Sequence, residues 1–397
     1  MTYELGGFAN CHSHVFHRAL RGRTHGGGGT FWTWREQMYA LADVLDPDLV
    51  HDLACATYAE MALAGVTTVG EFHYLHHAPD GTSYDDPNAM GEAVVEAAKA
   101  AGIRIALLDT CYLSAGFGRE VEGVQRRYND GDVAAWAERV DSLHQMYARD
   151  PDVVIGAAVH SVRAVPADQI GGVVDWATRH DAPLHVHLSE QPAENAECRA
   201  VHGVTPTALL AERGAWEAHA TAVHATHLTP EDIATLGANS VYACFCPTTE
   251  RDLADGVGPS EALRDAGAVL TLGSDSNAVI DMFEEMRAVE LNERLVSGRR
   301  GTWQPDALVR AATTDGLRSL GFVADDRVRL GYDSVRLAGA RPGPESAVFA
   351  AAVPDVREVV VGDRVVVSNA THVDRSDVTR DLERAVRACW QRVEESK

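Results

Sequence analysis

Four stretches of the chain carry side chains that bind divalent metals or move protons. They are His12-Ser13-His14, the run His185-Val186-His187-Leu188-Ser189-Glu190, His224, and Asp275 within Gly273-Ser274-Asp275-Ser276. In the first, residues two apart on an extended segment point the same way, so both imidazoles reach one ion. A His-x-His pair alone is weak evidence, because histidines so spaced are often ordinary core or surface residues. Three imidazoles and one carboxylate make a site for one divalent cation, best a borderline ion such as zinc, with room for a water whose pKa the metal lowers toward neutrality. His185 and His187 compete for the third imidazole position because alternation points both to one face. His187 stands nearer the strand end, level with Glu190, and is read as the ligand, with His185 a buried neighbour.

The elements that would bring these stretches together recur along most of the chain. Short apolar runs rich in β-branched residues alternate with helical periodicity, the pattern of parallel βα units. Eight are counted, over Gly6 to Cys11, Val66 to Phe72, Ile103 to Thr110, Val153 to Val159, Pro183 to Leu188, Ala220 to Ala225, Ser240 to Phe245 and Ala268 to Gly273. Helices are expected over Pro47 to Leu63, Pro87 to Ala101, Val133 to Ala148 and Pro166 to Arg179, several with a proline suited to the first turn. The predicted fold is α/β, a (β/α)8 barrel; an open doubly wound sheet is the alternative that periodicity leaves standing. The barrel is preferred because His12, His14, Glu71, His73, Tyr112, His160, His187, Glu190, His224, Cys246 and Asp275 all fall at or just past the ends of these runs. Barrel enzymes place their chemistry on that rim.

Beyond Gly331 short strands are expected over Ser334 to Ala338, Ala347 to Ala351 and Glu358 to Val367, the last broken by a Gly362-Asp363 hairpin turn. Val378, Leu382, Val386, Cys389 and Val393 then mark an amphipathic terminal helix that docks on the body. The expected organisation is a barrel over residues 6–320, with 1–5 and 321–397 forming a small β appendage and that helix. Gly26 to Gly29 reads as a mobile connection without the Lys-Ser/Thr partner of a phosphate cradle.

At 397 residues, 46% apolar and 23% charged, the chain can bury a large core. Lys and Arg number 35 against 58 Asp and Glu, a net charge of −23 that repels nucleic acid and anionic membrane surfaces. Seven scattered cysteines read as reduced thiols of a cytoplasmic protein, and neither a signal peptide nor a membrane span is indicated. Cys244-Phe245-Cys246 lacks a second cysteine pair and reads as buried thiols, and His76 and His77 as solvent-facing side chains. A homodimer through barrel helices is the oligomer expected.

The motifs together resemble the amidohydrolase superfamily, in its mononuclear deaminase branch: HSH after the first strand, HLSE after the fifth, VHATH after the sixth and GSDS after the eighth. A dinuclear member would carry a bridging lysine after strand four, where this chain has His160. Within the superfamily NCHSHVFHRAL, TFWTWREQMY, EFHYLHH, HSVRAV, HVHLSEQ, VHATH and LGSDSN look like the N-formimidoyl-L-glutamate deiminase family of histidine degradation, over residues 6 to 320. The resemblance implies that His12, His14, His187 and Asp275 hold zinc, that Glu190 shuttles protons, and that His224 with Asp275 orients and deprotonates water. It matches Tyr74, His160, Arg163 and Arg35 to positions that hold the substrate and its carboxylates. His17 stands where that family commonly has glutamine, so a contact to the glutamyl part would be remade by imidazole or lost. The chain also begins eleven residues before His12, where the family has several strands of a small sandwich, so that sheet is expected to be truncated or reduced to C-terminal segments.

The chemistry needed agrees with this set. Hydrolysing an amidine takes a nucleophile at neutral pH, a proton donor for the departing nitrogen and a group holding an anionic substrate in register. Glu190, three residues after the proposed ligand, suits the second role, and Arg163 can take a carboxylate in a fork of two hydrogen bonds or form an ion pair on the rim. Trp32 and Trp34 either lid the site or pack on it. The expected substrate is a small anionic linear amidine. The rivals are a deaminase of a nucleobase or other cyclic amidine, and a metal-binding barrel without catalysis.

Overall fold

The computed structural model of the protein describes residues 1–26 and 31–396, with no account of the side chains of Phe31 and Trp32. The glycine run beyond Gly26 and the lid reading of Trp32 therefore lie outside the described residues. Strand β1 (Thr2–Gly6) is followed by eight parallel strands: β2 (Phe8–Ser13), β3 (Val66–His73), β4 (Arg104–Cys111), β5 (Val153–Val159), β6 (Leu184–Leu188), β7 (Ala220–His224), β8 (Tyr242–Phe245) and β9 (Val269–Leu272). They pair in that order in one sheet. Their residues are buried almost throughout, as strands covered on both faces require. The eight-run reading of the chain is an α/β barrel, not an open sheet.

Closure is made by few contacts. Asp275 N–H donates to the His12 carbonyl at 2.8 Å, and His14 N–H to the Asp275 carbonyl at 2.9 Å. Side chains reinforce the seam. Asn10 Oδ1 accepts from Ser274 N–H at 2.8 Å and its amide donates to Ser274 Oγ at 2.7 Å. Asn277 donates to Ser13 Oγ and to the His14 carbonyl, both at 3.1 Å. Gly273 lets the two chains approach this closely: a Cβ there would lie 2.8 Å from the Cβ, N and O of His12.

The expected first strand over Gly6 to Cys11 resolves into two. The Gly6-Gly7 pair passes the chain from β1, which belongs to another sheet, to β2, which runs on through Ser13. The His-x-His pair thus begins on the strand itself. The other sheet is antiparallel, β1-β10-β11-β12-β13, with β10 (Arg327–Gly331), β11 (Val356–Val361), β12 (Arg364–Ser368) and β13 (Thr371–His372). The Gly362-Asp363 turn joins β11 to β12, with Gly362 at φ +56°. Ser334 to Ala338 is not a strand: Leu337 N–H turns back to Ser334 Oγ at 3.2 Å. Ala347 to Ala351 falls largely in the helix Pro344–Phe349, started by the proline at its first position.

The helix Pro47–Leu63 has the predicted limits, because Asp46 caps Leu49 N–H and Pro47 opens the first turn. The terminal helix Val378–Glu395 buries Val378, Cys389 and Val393, and Trp390 Nε1–H ties it to the Ala19 carbonyl at 2.8 Å. No helix among the described residues is long and apolar enough to cross a membrane.

Gly273→Ala should force β9 away from β2 and cost about 1–3 kcal/mol, the scale of an overpacked core. Calorimetric Tm and bound metal should fall together in this variant; unchanged Tm would show that the seam has slack.

Candidate metal centre and active site

The closed seam places the carboxylate of Asp275 against two imidazoles of β2. Asp275 Oδ1 lies 3.4 Å from His14 Nε2 and 3.6 Å from His12 Nε2, and His12 Nε2 lies 3.1 Å from Nε2 of His187, at the end of β6. Ligand atoms bonded at about 2.0–2.1 Å to a tetrahedral ion stand about 3.3 Å apart, so these separations suit one cation between them. His187 Nδ1–H donates to the His160 carbonyl at 2.9 Å and His14 Nδ1–H to the Phe72 carbonyl at 3.0 Å, which leaves the lone pairs on the converging Nε2 atoms. Three nitrogens and one carboxylate oxygen are a donor set that fits zinc. His185, on the same barrel face, lies deeper, its Nε2 3.5 Å from the Ser319 carbonyl, apart from the cluster.

Electrostatics keep the imidazoles ready to bind a cation. Burial lowers His14 to about 3 and holds His12 and His187 well below the usual histidine value, so all three are neutral at physiological pH. Burial raises Asp275 to about 7, with His224 opposing the shift. His224 is the exception among these histidines. Burial works against its charge, but Glu190, Glu250 and Asp275 outweigh it and push it up to about 10. Its Nε2 faces the second carboxylate oxygen, Asp275 Oδ2, at 3.8 Å, while Nδ1 lies 3.4 Å from Glu250 Oε1. His12, His224 and Asp275 are also close enough to share an ion, so His224 borders the cluster. Ser189, His224, Ala225 and Asp275 sit at φ between +47° and +68° at or just past the strand ends, local strain of the kind found at functional sites.

One cavity opens over this cluster and collects nearly every other predicted residue. His17, Arg35, Tyr74, His160, Arg163 and Glu190 line it, with Trp34. Arg163 makes the rim ion pair, its Nε–H 2.7 Å from Glu194 Oε2, yet its side chain is 36% exposed and borders the cavity. His17 Nε2 lies 3.0 Å from the Tyr74 hydroxyl, so the imidazole found in place of glutamine is engaged with that tyrosine. His160 contributes its ring to the wall and its carbonyl to the tautomer of His187.

The reading of His76 and His77 as solvent-facing is corrected. They are 1% and 7% exposed; His76 Nε2–H donates to the Thr110 carbonyl at 2.9 Å, and His77 Nε2 lies 3.1 Å from Asp130. A buried guanidinium, Arg139, bridges Asp130 and Asp109 next to them and explains why so polar a segment folds inward. Cys244 and Cys246 are buried free thiols as expected. Glu250, Gln125, Tyr39 and Tyr128 were missed. The only local signal for Glu250 is its position four residues past Cys246, where its Oε1 accepts Cys246 N–H at 2.8 Å.

The depressed histidines have a consequence for the metal-free protein. A group whose pKa is lower in the folded chain favours unfolding as pH falls below its unfolded value of about 6.5, since the unfolded chain binds the extra proton. His14, His73 and His185, lowered to about 3, and His76, lowered to about 4, all act in this direction. Stability of the metal-free protein should drop on acidification below pH 6.5, more steeply than the about 1.4 kcal/mol per pH unit that one proton allows. Added zinc should raise Tm and move this loss to lower pH, as protons and metal compete for the same nitrogens. Thermal denaturation between pH 4 and 8 with and without zinc is the check.

Known proteins place this geometry. The profile of the Amidohydrolase family matches residues 5–328. The chain is 36% identical over 390 residues to a formimidoylglutamate deiminase of Pseudomonas aeruginosa, covering 93% of this chain and 85% of that protein. It is 26% identical over 380 residues to a 5-methylthioadenosine/S-adenosylhomocysteine deaminase of Pelotomaculum thermopropionicum, covering 91% and 80% respectively. The crystal structure of an amidohydrolase from Brucella melitensis superposes with a TM-score of 0.90 at 31% identity, over 98% of this chain and 90% of that one. With the profile spanning the whole barrel and its catalytic rim, the chain belongs to the amidohydrolase family and is a hydrolase acting on carbon–nitrogen bonds.

Proposed function

We propose that the protein hydrolyses N-formimidoyl-L-glutamate to N-formyl-L-glutamate and ammonia. Water adds to the amidine carbon, the bond from that carbon to the terminal nitrogen breaks, and the nitrogen leaves with the protons it gains. The observation that carries this reading is the presence of Arg35 and Arg163 in the same cavity as the His/Asp cluster. Two guanidiniums suit the two carboxylates of this amidine, whereas a neutral base gives them nothing to bind. The similarity to a formimidoylglutamate deiminase supports the same substrate.

The assignment of roles follows from placement. His12, His14, His187 and Asp275 would hold the cation, with zinc favoured by the donor set. A cation there lowers the pKa of water and polarises the amidine carbon's substituent. Asp275 takes the proton of the attacking water, and His224, held charged and facing it across 3.8 Å, orients that water. Glu250 on the far side of His224 holds its ring in place through Nδ1. Glu190 lines the cavity beside them and delivers a proton to the departing nitrogen. Arg163, braced by Glu194 through its Nε edge, presents its outer nitrogens to a substrate carboxylate, and Arg35 with Tyr74 and His17 closes around the rest.

The direct test is ammonia release from N-formimidoyl-L-glutamate by zinc-loaded protein, run beside formimidoyl-aspartate, guanidino acids, cytosine and 5-methylthioadenosine. Release from the formimidoyl acid is expected; none from it, or release from a base alone, overturns the reading. Glu190→Gln should cut kcat by about 10²–10⁴ with metal retained, the usual worth of general acid–base help. Arg163→Ala should act chiefly on KM, raising it by about tenfold or more, the scale of a lost hydrogen bond to a charged group.

A further inference from the structure

One side of the cavity is lined by hydroxyls whose orientation the fold imposes. Gln125 lies in the cavity wall with Tyr39, Tyr112 and Tyr128. Its Oε1 accepts the backbone N–H of Glu122 at 3.2 Å. A main-chain N–H can only donate, so the amide is held with its oxygen toward Glu122 and its NH2 toward the tyrosines. That NH2 donates one hydrogen to the Tyr112 hydroxyl at 3.0 Å and the other to the Tyr39 hydroxyl at 3.3 Å. Each tyrosine oxygen is thereby an acceptor from Gln125, and its own hydrogen must point elsewhere. Among the described residues neither hydroxyl has another hydrogen-bond partner, and both border the cavity shared by Arg35 and Arg163. Tyr128, whose ring meets that of Tyr112 at 5.2 Å, is 1% exposed, and its hydroxyl has no hydrogen-bond partner among the described residues. A buried donor without a partner carries a cost that a ligand removes.

We infer that Gln125 is a positioning residue that presents the hydroxyls of Tyr39 and Tyr112 as donors to a substrate carboxylate, making the pocket selective for acceptor-only anionic tails over carboxamides. The inference rests on the proposed dicarboxylate substrate and adds the residues that read its anionic end. A carboxylate offers only lone pairs to the tyrosine donors. A carboxamide's NH2 meets guanidiniums, which cannot accept, and hydroxyls that already accept from Gln125 and turn their hydrogens away from it, so donors face donors. Gln125 itself acts at one remove, through the direction of two O–H bonds.

Binding of N-formyl-L-glutamate, which has both carboxylates and no amidine, tests this without reliance on turnover. Titration calorimetry on zinc-loaded protein should show preference for this compound over its two monoamides. Tyr112→Phe should weaken it about tenfold, the loss of a hydrogen bond to a charged group. Gln125→Glu preserves shape but accepts instead of donating, and draws the tyrosine hydrogens away from the cavity. It should weaken binding at least as much as Gln125→Leu and shrink the preference over the monoamides. A merely structural glutamine predicts the opposite order, with Gln125→Glu near the parent and Gln125→Leu worse. In a Tyr39→Phe, Tyr112→Phe background, Gln125→Leu should have little further effect, because the residues act as one unit. Parent-like binding by Gln125→Glu, an equal effect of Gln125→Leu in both backgrounds, or no binding of N-formyl-L-glutamate by the parent protein overturns the inference. Ammonia release from N-formimidoyl-L-glutamate by the same parent sample is scored separately: its absence beside the predicted binding pattern sinks the proposed reaction alone, and its presence without that pattern sinks this inference alone.

Discussion

Three neutral imidazoles converge inside a barrel that water barely reaches, with the Asp275 carboxylate against two of them. The same hydrogen bonds do this and close the barrel. Asp275 and His12 meet first as backbone partners across the seam between β9 and β2, and their side chains converge as a result. A candidate metal centre assembled at a barrel seam ties local chemistry to global fold. Bringing these groups together costs desolvation, visible in the depressed histidines and the raised Asp275, and a cation shared among them offsets that cost.

Around that centre the cavity has a charge order opposite to that of the molecule. The chain as a whole carries −23, yet the walls facing the cluster include Arg35 and Arg163. At separations of a few ångströms in a poorly hydrated pocket, local guanidiniums dominate over surface carboxylates that solvent and salt screen. Glu190, Glu250 and Asp275 act on His224 and keep it charged. The cavity thus holds two guanidiniums as well as the acidic groups around His224. Arg163 shows how this is built: its ion pair with Glu194 fixes the guanidinium without removing it from the cavity.

Much of this was legible in the sequence because barrels repeat. Each βα unit writes the same sentence, an apolar β-branched run ending in a polar residue, and reading the ends of the runs yields the rim. His12, His14, His187, Glu190, His224 and Asp275 were found in that way. What escaped has a common cause. Tyr39 comes from a helix, and Gln125 and Tyr128 from one 3-10 helix, outside the strands, where no period marks the inward face. His76 and His77 look like surface histidines until Arg139, more than sixty residues away, is seen neutralising the carboxylates beside them. Two strands of the appendage were misplaced, at Ser334 to Ala338 and Ala347 to Ala351, for a similar reason: β1 and β10 pair across more than three hundred residues, and a strand two to six residues long has too little pattern to announce itself.

Residue types and their spacing along the chain were enough to specify the barrel and to single out the candidate donor set, because alternation in strands and the position of strand ends are local properties of sequence. Which nitrogen of each histidine faces inward, whether Arg163 serves a substrate or only an ion pair, and where the tyrosine hydroxyls point depend on contacts between segments far apart in sequence. Hydrogen-bond direction is set by whichever partner the fold delivers, as the Phe72 and His160 carbonyls do for His14 and His187, and that delivery exists only once the barrel has closed.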